Sequence, residues 1–225
     1  MFIGHYALGL ASKKMPNPPS LAIAFIAVQF LDLIWPIFVL LGIENFQIEE
    51  GITKLTPLNF VHYPYSHSLL MALIWSLLFG LLYFTATRNR RNALLVGGLV
   101  FSHWILDFIV HRPDLPLTPF GDTRVGLGMW NHPALEILLE IGLFLIGLYF
   151  YLNSRQPRRR IVFWGLIGFL LIIHLINLLG PPPPSEEAVT WSANLLWIFV
   201  AWAWWVEKRP NRGSIGVSPK KEIET

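Results

Sequence analysis

ALLVGGLVFSHWILDFIVH, residues 93–111, is an apolar run that carries His103, Asp107 and His111 at intervals of four. Its length and apolarity fit a helix crossing a bilayer, which needs roughly 17–25 such residues. On a helix, the interval of four stacks the two imidazoles and the carboxylate on one face. A lone charge at the bilayer centre costs at least ~2.5–3.5 kcal/mol even on insertion scales, so such a face turns toward the bundle interior and toward partners. The stretch therefore predicts a membrane span that carries a functional stripe.

Five further runs have the same character, at 20–43, 68–87, 133–152, 161–180 and 188–206. The 225-residue chain is 54% hydrophobic, with 14% charged residues, where a soluble domain would carry about 25% charged residues. The expected fold class is all-α: a polytopic membrane helical bundle of about six transmembrane helices. Residues 1–12 are too short to span and are expected to form an N-terminal half-helix. One membrane-embedded domain, 1–206, is expected, followed by a disordered cytoplasmic tail over 207–225. No internal repeat is visible. The opening MFIGHYALGLASKK places its lysines after the apolar stretch and has no small-residue cleavage site, unlike a signal peptide. The chain has no Cys, so thiolate metal ligands are excluded.

A formal charge of +3 invites a nucleic-acid reading, but the placement of the charges argues against it. The groups at 13–14, 88–91, 155–160 and in the tail hold 14 of the 17 basic residues, all on one side if the six runs span. Lys54, Arg112 and Arg124 remain for the other side. The positive-inside rule then puts both termini in the cytoplasm of a cell-membrane protein, with lipid rather than nucleic acid as its surroundings.

Within the spans lie Asp32, Asp107, Glu136 and Glu140. At ~1.5 Å per residue, Asp32, His103 and Asp107 lie about 18, 16 and 22 Å from the cytoplasmic ends of their helices. His67, His132 and Glu136 enter from the other surface, so these groups can converge in the outer half of the membrane. His5 joins them if residues 1–12 fold back upward. HWILD (103–107) and HPALE (132–136) each pair an imidazole with a carboxylate four residues on, and each can hold an ion from one helix face. In HYPYSHS (62–68), Ser66 suits an N-cap, His67 a ligand, and His62 a supporting group or proton donor. His174 has no carboxylate at helical spacing and reads as structural or cavity-lining. Glu140 continues the 132–136 face one turn deeper and reads as a supporting residue. Imidazole with carboxylate and no thiolate suits Zn²⁺, Mn²⁺ or Fe²⁺.

Taken in order, His5 with Gly9, Asp32, HYPYSHS, SHWILD and HPALE resemble the bacterial membrane-bound metal-dependent hydrolases of the YdjM-like group. The resemblance covers about residues 1–140, although Tyr-Pro replaces that family's Arg-Gly within HYPYSHS and FLDLIWP carries one Asp rather than two. The same order is similar to the zinc-dependent phospholipase C and P1-type nuclease superfamily, which is all-α and holds three zinc ions. The resemblance implies that Asp32, His67, His103 and Asp107 hold one ion and that Asp107 bridges to a second, bound also by His5. It further implies that His111, His132 and Glu136 hold a third, and that Asp32 serves as general base.

The expected function is a membrane-embedded hydrolase with two or three divalent metals, acting on a phosphoester of a lipid or lipid-linked substrate. Arg112 and Arg124 are candidates to contact an anionic headgroup. The rivals are a metal-ion or proton transporter, since intramembrane His and Asp also mark ion pathways, and a scaffold with a purely structural metal. Polar groups confined to one half of the membrane, without repeat symmetry, favour the enzyme.

Overall fold

The structure is a computed structural model that describes residues 1–154 and 157–208. Six helical stretches among these residues are long and apolar enough to cross a membrane. After a nine-residue α1 (Ile3–Ala11) they are α2 (Leu21–Leu40), α4 (Leu69–Thr87), α5 (Arg90–Val110), α6 (Pro133–Ser154), α7 (Arg160–Leu179), and a last stretch of two helices. That last stretch breaks at Leu195 into α8 (Glu186–Asn194) and α9 (Leu196–Glu207), a division the apolar pattern did not anticipate. The expected ranges and the helices agree to within three residues at every end. The expected disordered tail falls almost wholly on 209–225, outside the described residues.

Apolar composition makes the spans, and side-chain caps set several of their starts. Ser20, Asn89 and Ser185 each accept a hydrogen bond from the backbone N–H three residues on, at the heads of α2, α5 and α8. At the head of α4 the cap is Ser68, which accepts from Met71 N, and not Ser66 as its position suggested. A four-residue α3 (Pro64–His67) intervenes and turns Ser66 inward. α4 is the most lipid-exposed span: Leu73, Leu77, Leu81 and Leu82 face outward, and Ala72 alone of its residues is buried.

α1 is buried along most of its length and fills the interior, packing on α6 and α2. A Cβ at Gly147 of α6 would collide with the backbone of Ala7, so the approach of α1 to α6 requires glycine there. Gly9 likewise lies against Phe25 and Val28 of α2, where a Cβ would come within 3.1 Å of Phe25. One end of the bundle carries a small cap. It contains the antiparallel pair β1 (Asn45–Ile48) and β2 (Leu58–His62), then α3, then the two-residue pair β3 (Leu115–Pro116) and β4 (Arg124–Val125). Strands this short leave no readable alternation in the sequence.

Candidate metal centre

The centre starts from the helical spacing on α5. His103 Nε2 lies 3.0 Å from Asp107 Oδ2, one turn on. The other ring nitrogen, Nδ1, lies 2.7 Å from the carbonyl of Val28 on α2. A carbonyl only accepts, so Nδ1 carries a proton, and in the neutral ring Nε2 presents its lone pair. That lone pair faces Asp107 Oδ2 and, at 3.7 Å, Asp32 Oδ1, and this buried nitrogen has no hydrogen-bond partner.

His67 repeats the arrangement from the cap. Glu44 is 1% exposed, and its Oε1 accepts from the backbone N–H groups of Tyr65 and Ser66, both at 2.8 Å. Its Oε2 lies 2.6 Å from Ser66 Oγ, which in turn lies 2.7 Å from His67 Nδ1. A carboxylate accepts only, so Ser66 donates to Glu44 and accepts from His67 Nδ1–H. His67 Nε2 then also presents a lone pair, 3.4 Å from Asp32 Oδ1 and 3.9 Å from Asp107 Oδ2. Burial pushes the Glu44 carboxyl above the ordinary glutamate value, against the pull of its bonds to Ser66.

His5 of α1 completes the group. Its Nε2 lies 3.1 Å from Asp107 Oδ1, and its buried Nδ1 is without a partner. The Met1 amine donates to the same Oδ1 at 3.0 Å. Asp107 thus turns one oxygen toward His103 and His67 and the other toward His5.

Lone pairs aimed at carboxylate oxygens repel, so the cluster calls for positive charge between them, as protons on the rings or a shared cation. The orphaned His103 Nε2 and the nitrogen–oxygen donor set fit a divalent cation. Two groups of ligand atoms come within 4.8 Å of one another: His5, His103 and Asp107, and Asp32, His67 and His103. The side chain of Asp32 is 29% exposed, against 0–4% for its partners, and forms the accessible edge.

Neither group of ligand atoms includes the remaining candidates, His111, His132 or Glu136. His111 caps the end of α5 and directs Nδ1 to Asp114 at 3.0 Å, with its ring 4.1 Å from Trp130. Asp114 also accepts from Arg112 Nε at 3.1 Å and from Tyr63 O–H at 3.3 Å. Burial and Asp114 push the Tyr63 hydroxyl well above its ordinary value. His132 is exposed in the turn before α6. Glu136 is buried beside Glu140, and Glu140 accepts from the backbone N–H groups of Phe2 and Gly4. Glu140 therefore holds the start of α1 and faces His174 Nδ1 at 4.0 Å. His62 is exposed at the end of β2, its ring against Tyr65. Arg124 donates to the carbonyl of Val61 at 2.8 Å and ties β4 to β2. Glu44 and Ser66 were not expected at the centre. Glu44 sits in a loop with no helical spacing to mark it, and Ser66 reads as a cap.

Among known proteins, residues 3–180 match the family described as YdjM inner membrane protein. No curated protein and no solved structure matches the chain.

Proposed function

We propose that this chain, which belongs to the YdjM inner membrane protein family, is a membrane-embedded metal-dependent hydrolase acting on a phosphoester of a lipid or lipid-linked substrate. The observation that carries the reading is the convergence of His67 Nε2 and His103 Nε2 on Asp32 and Asp107, with His103 Nε2 buried and without a hydrogen-bond partner. Asp32, His67, His103 and the Oδ2 of Asp107 would hold one divalent ion, Zn²⁺ being favoured by the donor set. His5 and the Oδ1 of Asp107 would contribute to a second. A bound divalent ion lowers the pKa of a water and offsets charge developing on a phosphoryl oxygen.

The protein's own groups supply the rest. Asp32, the exposed carboxylate of the set, accepts the proton of the attacking water. The Glu44–Ser66 pair holds His67 in one tautomer, and the Val28 carbonyl does the same for His103. The exposed edge at Asp32 favours catalysis over a closed structural site, which would keep no position for water. A lipid-phase substrate follows from the location. Asp32 is eight residues from the end of α2 and Asp107 three from the end of α5, about 12 and 5 Å along the axis. With the basic ends of the spans in the cytoplasm, both termini are cytoplasmic and the centre opens toward the outer leaflet.

The test is elemental analysis of protein purified without chelator, together with a hydrolysis screen on phosphomonoester and phosphodiester reporters. Bound metal is expected, with an activity that a chelator abolishes and added metal restores. Protein free of metal, or an activity indifferent to chelator, would refute the reading.

A further inference from the structure

A cavity of about 650 Å³ opens at the end of the bundle away from the metal centre. It is walled by the α1–α2 connection, the head of α2 and the tail of α9, with Tyr151 of α6 and Arg158 before α7. The starts of α2 and α7 and the ends of α6 and α9 converge here, where apolar spans of this length would leave the hydrocarbon and reach the headgroups.

Its charge is lopsided. Glu207, the one carboxylate among the described lining residues, is already engaged: Oε1 pairs with Lys13 Nζ at 2.7 Å and Oε2 accepts from Leu21 N at 2.7 Å. Among the described residues, no carboxylate lies within ion-pair distance of Arg158 or Lys208, which also line the cavity. Arg158 donates to the carbonyl of Glu207 at 3.5 Å, and Lys208 Nζ lies 4.7 Å above the ring of Trp204. Ser20 accepts from Ile23 N and keeps its hydroxyl proton to donate. Two cations and a hydroxyl donor around one cavity make an anion site, and Trp204 supplies the amphipathic ring suited to a headgroup boundary.

We propose that this cavity seats the phosphate of an anionic phospholipid headgroup. The site is separate from the metal centre and stands whether or not that centre is catalytic. A membrane phosphodiester presents one negative charge at this depth, and basic pockets between helices on the cytoplasmic side take such headgroups.

The test is the thermal stability of the full chain in neutral detergent, titrated with phosphatidylglycerol, phosphatidylcholine or inorganic phosphate. Phosphatidylglycerol is expected to raise Tm, phosphatidylcholine to leave it nearly unchanged, and inorganic phosphate to act only at far higher concentration. The double variant Arg158→Gln, Lys208→Gln is expected to lose the shift. Arg91→Gln lies at the same end, since its neighbour Asn92 donates to the carbonyl of Asn17 at 2.7 Å, but outside the cavity, and should keep the shift. Should the double variant fail to fold, Lys208→Gln is expected to weaken the shift and Lys208→Arg to retain it. Equal stabilisation by the two lipids, or a shift that survives both Arg158→Gln and Lys208→Gln, would overturn the proposal. Inorganic phosphate acting as strongly as phosphatidylglycerol would overturn the lipid assignment in favour of the free anion.

Discussion

His5 and His103 lie face to face, their ring centroids 3.7 Å apart and their planes 1° from parallel. One ring comes from the short buried α1 and the other from the middle of α5, so the stack makes α1 a wall of the candidate metal centre. Two imidazolium ions cannot share such a stack without strong repulsion, and Asp107 touches both rings, at 3.1 and 3.0 Å. The carboxylate is thus placed to offset positive charge on two sides at once.

Asp107→Asn keeps the side-chain size and removes that charge. Metal content and activity are expected to fall together, measured on the same purified sample. Glu140→Gln retains an acceptor for Phe2 N and Gly4 N and is expected to keep most of the metal. The reverse order of losses would show that Glu140, and not Asp107, belongs to the ligand set.

Glu44→Gln tests how His67 is oriented. The Gln oxygen can still accept from Tyr65 and Ser66 N–H, but its amide would donate to Ser66 Oγ. The hydroxyl proton would then turn to His67 Nδ1 and place the ring proton on Nε2, the nitrogen needed for metal. A 10–100-fold loss of metal affinity is expected with the fold intact, a range typical of groups that orient ligands. Ser66→Ala should do the same, and Glu44→Asp should recover part of the loss. Chelator competition measures all three, and unchanged affinity in Glu44→Gln would exclude this orienting role.

Gly147→Ala sets a methyl group against the backbone of Ala7. Overpacking of this kind costs about 1–3 kcal/mol, and here it pushes α1, and His5 with it, off the centre. A lower Tm together with weaker metal binding is expected. Gly142→Ala, on the same helix with open space around its Cα, should change neither. A Gly147→Ala protein as stable as its parent would mean that α1 tolerates displacement.

Orientation is open to reporter fusions. Positions 50 and 120, on the cap side, are expected outside the cytoplasm, and position 89, between α4 and α5, inside. Fusions reporting 50 or 120 in the cytoplasm would reverse the assignment and place the centre in the inner leaflet.

The bundle was legible in the sequence because a bilayer imposes length and apolarity on every span, and such a rule acts on local residues alone. The helical interval in HWILD was legible for the same reason: His103 and Asp107 meet whatever the rest of the fold does. Long-range placement was legible only in part: depth along the spans brought Asp32, His67, His103 and Asp107 to one level, and His5 joins them. HPALE has the same interval, yet packing buries Glu136 beside Glu140 and leaves His132 exposed in the turn before the helix. His111 keeps helical register with Asp107, but the helix ends at Val110 and the chain turns the ring toward Asp114. Glu44 and Ser66 reach the centre through a cap of short strands and a single helical turn, and no periodicity records which loop carboxylate will stand behind which imidazole. Sequence by itself determined the spans and which imidazoles and carboxylates they carry. Which of those groups face one another was decided by tertiary packing, where a glycine at 147 admits α1 and a buried carboxylate at 44 sets the tautomer of His67.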